Sequence, residues 1–310
     1  MNGSLRPRTV AVTGATGLIG TALCTSLRAG GHTVKRVVRA NATGNDVLWN
    51  PAAGTIDVAS LEGVEAVVHL AGHGIGDGKW TDEHKQKVLD SRVQGTTLIA
   101  ETIANMTTKP FVFASGSAIG FYGDRGSMMI NEESPGGTGF LAELVAQWEA
   151  CTAPAERAGI RTAHLRTGIV LSTKGGALKQ QLLPFKLGAG GRLGKGTQYL
   201  PWITITDEVR AIEHVLFGDV ASPIEGPVNL TAPTPVTNAV FTKALGRALK
   251  RPTIIPIPLM PLKVLYGEEM VKEMLLSGAN VLPAKLLDTG FTFRHPNIGA
   301  ALTAVLAEKL

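Results

Sequence analysis

Over its first two-thirds the chain alternates short apolar runs with stretches of helical period. The apolar runs predict strands over 9–13, 33–38, 66–70, 111–115 and 161–165, and the intervening periodic stretches predict helices near 18–29, 81–104 and 140–158. Ala66-Val67-Val68-His69-Leu70 reads as a continuous run, as in a strand buried on both faces. Strands separated by helices build a parallel sheet covered on both sides. The expected fold is therefore an α/β, doubly wound parallel sheet of six or seven strands.

After Thr167 the regularity weakens. A glycine-rich stretch, 186–196, leads into a strand expected over 199–205, and Thr206 reads as the N-cap of a helix with Asp207 and Glu208 in its first turn. A strand over 227–230 and a helix capped near Thr237 follow. From Arg251 the chain becomes proline-rich, with a helix near 262–276. This organisation predicts a dinucleotide-binding domain over 1–235, with 168–205 contributing to the substrate cleft, and a smaller mixed lobe over 236–310.

The first strand runs directly into Gly14-Ala15-Thr16-Gly17-Leu18-Ile19-Gly20. Glycines spaced in this way between a strand and a helix serve three ends. Gly14 makes the tight turn, Gly17 lets backbone approach a pyrophosphate, and Gly20 allows close packing of helix on strand. The helix start that follows, at Leu18 and Ile19, presents free N–H groups to the phosphates. Near the end of the second strand an NAD site usually offers a carboxylate, but residues 33–41 contain none. Arg39 ends that strand, and a guanidinium there suits a 2′-phosphate. Arg36 lies mid-strand, where it either assists Arg39 or sits on the surface. The expected cofactor is NADP(H).

Composition narrows the alternatives. With 310 residues, 44% of them hydrophobic and 18% charged, the chain is an ordinary globular protein. Its net charge of +5 shows no single-sign run, so no nucleic-acid partner is expected. The two cysteines, Cys24 and Cys151, make no disulfide framework, and the seven histidines show no metal-ligand spacing. Met1–Arg8 has no apolar signal-peptide core, and no apolar stretch approaches ~20 residues. A cytoplasmic monomer or homodimer, with a small-molecule substrate and no membrane partner, is expected.

Further segments occur in a telling order: Val68-His69-Leu70-Ala71-Gly72, Arg92-Val93-Gln94-Gly95-Thr96, Ala114-Ser115-Gly116-Ser117-Ala118 with Tyr122-Gly123, Leu165-Arg166-Thr167-Gly168-Ile169-Val170, and Pro201-Trp202-Ile203-Thr204-Ile205-Thr206-Asp207. With these the chain resembles the extended short-chain dehydrogenase/reductase superfamily, the group of sugar-nucleotide epimerases. Gly78-Lys79-Trp80-Thr81, Trp148-Glu149, Leu183-Pro184-Phe185-Lys186-Leu187-Gly188 and Gly290-Phe291-Thr292-Phe293 narrow the resemblance. They point to an epimerase-like branch with a C-terminal domain of unknown function, sometimes labelled cell-division inhibitor. The resemblance implies that Leu70, Ala71 and Gly72 pass beside adenine and ribose and that Arg92 and Ser115 stand at the cofactor. It also implies that Gly168, Ile169 and Val170 lie against the nicotinamide, and that Ser117 matches the catalytic serine.

One departure matters. Active members carry a Tyr-x-x-x-Lys pair at the start of the helix after the fifth strand, whose phenol exchanges a proton with substrate. Here Phe140 with Leu144, or Leu141 with Val145, fills those positions, and none can transfer a proton. Ser117 and Tyr122 remain as candidate catalytic residues, and Glu143 as a substitute base or a solvated surface carboxylate. Arg92 shares a helix face with Val88, Thr96, Ile99 and Ile103, so it either pairs with a buried carboxylate or offers an anion site to the cleft. Lys79, Trp80 and His73 are candidates to reach the same cleft. Two functions fit this pattern: an NADP-dependent oxidoreductase or epimerase-like enzyme with a non-standard proton donor, or a non-enzymatic NADP(H)-binding redox sensor.

Overall fold

The computed structural model describes residues 6–218 and 222–307. Eight strands form one sheet: β1 (Thr9–Thr13), β2 (Thr33–Val38), β3 (Val47–Asn50), β4 (Thr55–Ile56), β5 (Ala66–His69), β6 (Val112–Ala118), β7 (Arg161–Thr167) and β8 (Gly226–Leu230). They lie in the order β8-β7-β6-β5-β1-β2-β3-β4, parallel except for the antiparallel β3–β4 pair. The expectation of six or seven strands omitted β3 and β4, of four and two residues, which are too short to show a period.

The longer helices are α1 (Leu18–Ala29), α2 (Asp82–Asn105), α3 (Phe140–Ala150), α4 (Gly176–Lys186), α5 (Ile205–Phe217), α6 (Asn238–Leu249), α7 (Leu259–Tyr266) and α8 (Ile298–Ala307). Alternation along β1 divides the core. Val10 and Val12 pack under α1 and α5 with Leu23, Leu27, Ile212 and Val215. Ala11, on the opposite face, joins Val67 and Phe113 beneath Ile99 and Ile103 of α2. A third cluster around Trp202 joins α4, α6 and α8.

Several expected elements are shorter or divided. The helix expected over 140–158 stops at Ala150, and a separate turn, Ala153–Arg157, carries Pro154 near its start, where no N–H is needed. The strand expected over 199–205 parts at Pro201. Tyr199–Leu200 pairs with Val236–Thr237, and Trp202–Thr204 pairs with Ile169–Leu171. The N-cap of α5 is Thr204 and not Thr206; its hydroxyl accepts from the Asp207 N–H. The helix expected over 262–276 breaks at Gly267 (φ 91°) and resumes as Glu268–Met270 followed by a π-helical stretch, Val271–Leu276. Phe291 and Phe293 pack into the sheet-face core, so the C-terminal segment is fastened to the sheet itself.

Candidate functional site

Successive connections leave β1 and β5 in opposite directions across the sheet, which opens a crevice at their carboxyl ends. Gly14 turns there with φ 63°, and a Cβ on it would lie 2.7 Å from the Leu70 carbonyl. A Cβ on Gly20, in the first turn of α1, would lie 2.2 Å from the Gly14 oxygen, so Gly14 needs glycine for the turn and for packing, and Gly20 for packing. Thr13 Oγ1 accepts from the Leu70 and Ala71 N–H groups (3.0 and 3.1 Å) and meets His69 Nδ1 at 2.8 Å. Burial, with Arg92 nearby, lowers the His69 pKa to about 3, so this imidazole stays neutral.

Gly17 is the N-cap of α1, with no side-chain cap and no acidic residue in the first turn. The N–H groups of Leu18, Ile19 and Gly20 therefore remain available to an anion, beside the exposed Thr16 and Gly17. These residues fit a dinucleotide pyrophosphate: a glycine cradle, an uncapped helix start and free donors.

Arg39 is exposed just past the end of β2. Arg36 is committed elsewhere: its Nε donates to Asp46 Oδ1 at 2.9 Å, and the pair lowers the Asp46 pKa to about 2. Arg92 resolves differently from the buried-pair alternative. Among the described residues no carboxylate pairs with it. Its Nη1 donates to the carbonyls of His73 (3.0 Å) and Val88 (3.1 Å), its Cζ stands 4.9 Å from the Trp148 ring, and its Nε has no partner. Burial lowers its pKa to about 10, and the group borders Gly72 at the mouth of the crevice.

β6 continues to Ala118, past the end expected for it. Ser115 thus lies inside the strand and is fully buried, while Ser117 stands nearer the carboxyl end. Ser117 Oγ donates to Glu149 Oε1 at 2.6 Å, and Arg166 holds both oxygens of that carboxylate at 2.8 Å. Arg166 Nη1 also donates to the Tyr122 hydroxyl (3.0 Å), which in turn donates to Asn229 Oδ1 (2.8 Å). Burial acts to raise the Glu149 pKa, but the Arg166 hydrogen bonds and charge, with Ser117, hold it below the usual carboxylate range. Burial raises the Tyr122 phenol, whose side chain has no exposed surface. The two sequence candidates are therefore linked through Glu149 and Arg166. Glu149 had been visible only as part of a family run, because 32 residues separate it from Ser117.

At the start of α3, Gly139 (φ 101°) turns the chain so that Glu273 receives the N–H groups of Phe140 and Leu141, at 3.1 and 3.0 Å. Phe140 packs edge-on against Trp80 (5.1 Å), whose Nε1 donates to the Ile75 carbonyl. Lys79, His73 and Glu143 are exposed, whereas Leu144 and Val145 are buried. A phenol–amine pair is absent from this helix start in either register.

Gly168 follows β7, and Ile169 and Val170 belong to a short strand, Ile169–Leu171. A Cβ on Gly168 would lie 2.7 Å from the Pro201 carbonyl. Beneath this turn Glu208 is fully buried, with Oε1 accepting from Thr167 Oγ1 (2.9 Å) and Oε2 unpartnered. Burial raises its pKa to about 8. No cluster with metal-ligand character occurs among the described residues.

The chain matches a family model described as the NAD dependent epimerase/dehydratase family over residues 10–230, and a second, a domain of unknown function (DUF1731), over residues 257–305. It is 43% identical over 295 residues to the epimerase family protein Mb2239 of Mycobacterium bovis, covering 94% of this chain and 96% of that one. The human epimerase family protein SDR39U1 (isoform 2), solved with NADPH, is 34% identical and superposes with a TM-score of 0.89, covering 97% of this chain and all of the other. A nucleoside-diphosphate sugar epimerase from Corynebacterium glutamicum, 37% identical, superposes with a TM-score of 0.80 over 97% of this chain and 58% of its own. The protein thus belongs to the NAD dependent epimerase/dehydratase family and carries the DUF1731 domain at its C-terminal end.

Proposed function

We propose that the protein binds NADP(H) across the β1–β5 crevice and acts on a small molecule as an epimerase-like oxidoreductase that dispenses with the Tyr-x-x-x-Lys pair. The observation that carries this reading is the convergence at one crevice of an uncapped α1 start, the exposed Arg39 and the carboxylate-free Arg92. NADPH in the crystal structure of the 34% identical SDR39U1 supports it. When bound, the nicotinamide supplies or accepts a hydride. This chain's residues bind and orient: the α1 amides take the pyrophosphate, Arg39 the 2′-phosphate, and Arg92 a ribose or phosphate oxygen. Ser117, with its proton held by Glu149, offers its oxygen lone pairs to a substrate hydroxyl.

A redox-sensor reading has its own support. The Tyr122 proton is already given to Asn229 and the Ser117 proton to Glu149, and no phenol or amine starts α3. Calorimetric titration with NADPH and NADH tests the binding claim. NADPH should bind more tightly, and Arg39→Asp should reverse or abolish that preference; an unchanged preference would refute the role of Arg39. Adding sugar nucleotides, aldehydes and quinones to the saturated protein then separates the two readings. Turnover lost in Ser117→Ala supports the enzyme, and binding without turnover supports the sensor.

A further inference from the structure

The 25 acidic residues of the chain are unevenly placed. None falls within residues 174–206 or 226–267, whereas those two segments carry ten basic residues: Lys174, Lys179, Lys186, Arg192 and Lys195 in the first, and Lys243, Arg247, Lys250, Arg251 and Lys263 in the second. The fold brings the segments side by side. Arg251 Nε donates to the Lys186 carbonyl (2.8 Å), the Ile257 N–H donates to the Arg192 carbonyl (2.9 Å), and Leu193 bridges Ile257. The backbone of Gly191 lies so close to the Ile255 carbonyl that a Cβ would sit 1.9 Å from it.

The same surface is apolar. Ile254 and Ile255 are 87% and 76% exposed, Leu187 is 75% exposed, and α7 has no buried residue, presenting Met260, Val264 and Leu265. Leu183 and Leu187 stand one helical turn apart beside Lys186, Arg192, Lys250 and Arg251, all exposed. Among the described residues Lys263 alone of the ten is ion-paired, with Glu268 at 2.7 Å. Apolar patches of this kind on a water-soluble surface mark contact sites.

We propose that this face docks on an anionic lipid surface. Exposed aliphatic side chains ringed by cations match a bilayer interface, where apolar groups enter the acyl boundary and lysine and arginine meet the headgroups. A nucleic acid would use the cations but gain nothing from Ile254, Ile255 and Leu187. A second copy would set one acid-free face against another. No helix among the described residues is long and apolar enough to cross a membrane, so the contact is peripheral. This replaces the expectation of no membrane partner. The whole-chain charge hides the face, and the expectation of no single-sign run is corrected by these two segments, whose ten charges are all basic.

Co-sedimentation with vesicles of phosphatidylcholine, alone or mixed with phosphatidylglycerol, tests the proposal. The protein should pellet with the anionic vesicles only, and high salt should release it. Ile254→Asp/Ile255→Asp should lower the partition at least ~10-fold. Lys186→Glu/Arg192→Glu should lower it by about fivefold or more per cation removed. Both variants change exposed side chains, so NADPH affinity and thermal stability should stay as in the parent, which separates lost docking from lost folding. Failure to bind anionic vesicles, equal binding to neutral ones, or full binding by either variant overturns the proposal. Capture of a DNA or RNA oligonucleotide that is indifferent to Ile254→Asp/Ile255→Asp would assign the face to polyanions instead. Self-association abolished by the same change would assign it to a second copy.

Discussion

Glu208 and His69 are fully buried and titrate in opposite senses, so together they shape how stability responds to pH. Burial raises Glu208 from 4.5 to about 8, so between those values the folded protein keeps a proton that the unfolded chain has lost. Rising pH therefore costs stability across that window: the contribution is complete below 4.5 and gone above about 8. His69 falls from 6.5 to about 3, so there the unfolded chain holds the extra proton and stability rises with pH instead. The two oppose each other from 4.5 to 6.5. In Glu208→Gln the decline towards pH 8 should vanish, which melting curves across pH 4 to 9 will show; curves parallel to the parent's would mean that Glu208 is charged in the fold. Tyr122 gives a second test. Its hydroxyl joins Arg166 to Asn229 inside the core, so Tyr122→Phe should cost about 1–3 kcal/mol in denaturant unfolding. A loss of turnover without that loss of stability would make the phenol a reactant and not a support.

At the scale of elements, capping decides where helices begin. Thr81, Thr204 and Thr237 each receive a backbone N–H of the helix they start, and two of these three ends, at residues 81 and 237, were legible from the chain itself. The third was not. Thr204 and Thr206 both precede the same acidic pair, and only the pairing of Trp202–Thr204 with Ile169–Leu171 fixes where strand ends and helix starts. α3 has no local cap at all: Gly139 leaves its first amides to Glu273, 133 residues away in sequence. Glu273→Ala should therefore speed hydrogen exchange at Phe140 and Leu141 and cost about 1 kcal/mol. Unchanged exchange would show that water caps the helix equally well. Lys85 and Glu269, 2.9 Å apart, tie the same C-terminal stretch to α2.

For the whole molecule, the two faces of one sheet set the architecture. The doubly wound arrangement follows from alternating strands and helices, and the crevice falls where the winding reverses, between β1 and β5. The carboxyl ends of β1, β5, β6 and β7 bring Gly14, Leu70, Ser117 and Gly168 to that one edge. The C-terminal segment is tied to α3 by Glu273 and to α2 by Glu269, and where it meets residues 174–206 the two segments carry ten basic residues and no acid. The net charge of +5 conceals these two acid-free stretches, and the fold sets them side by side.

The chain by itself determined its fold class, its glycine turn and the apolar residues that start α3, because each is written in local periods and short spacings. Gly14, Gly17 and Gly20 sit within seven residues, and Phe140 to Val145 within six, so no tertiary information was needed to read them. Only the tertiary structure decided what the remaining polar groups do. Arg36 goes to Asp46, Arg92 finds no carboxylate among the described residues, and Ser117 and Tyr122 are drawn into one network by Glu149 and Arg166. A charged or hydroxyl side chain carries no period that names its partner. The partner is set by which segments the sheet and the C-terminal lobe bring within hydrogen-bond reach, and burial then fixes the protonation state.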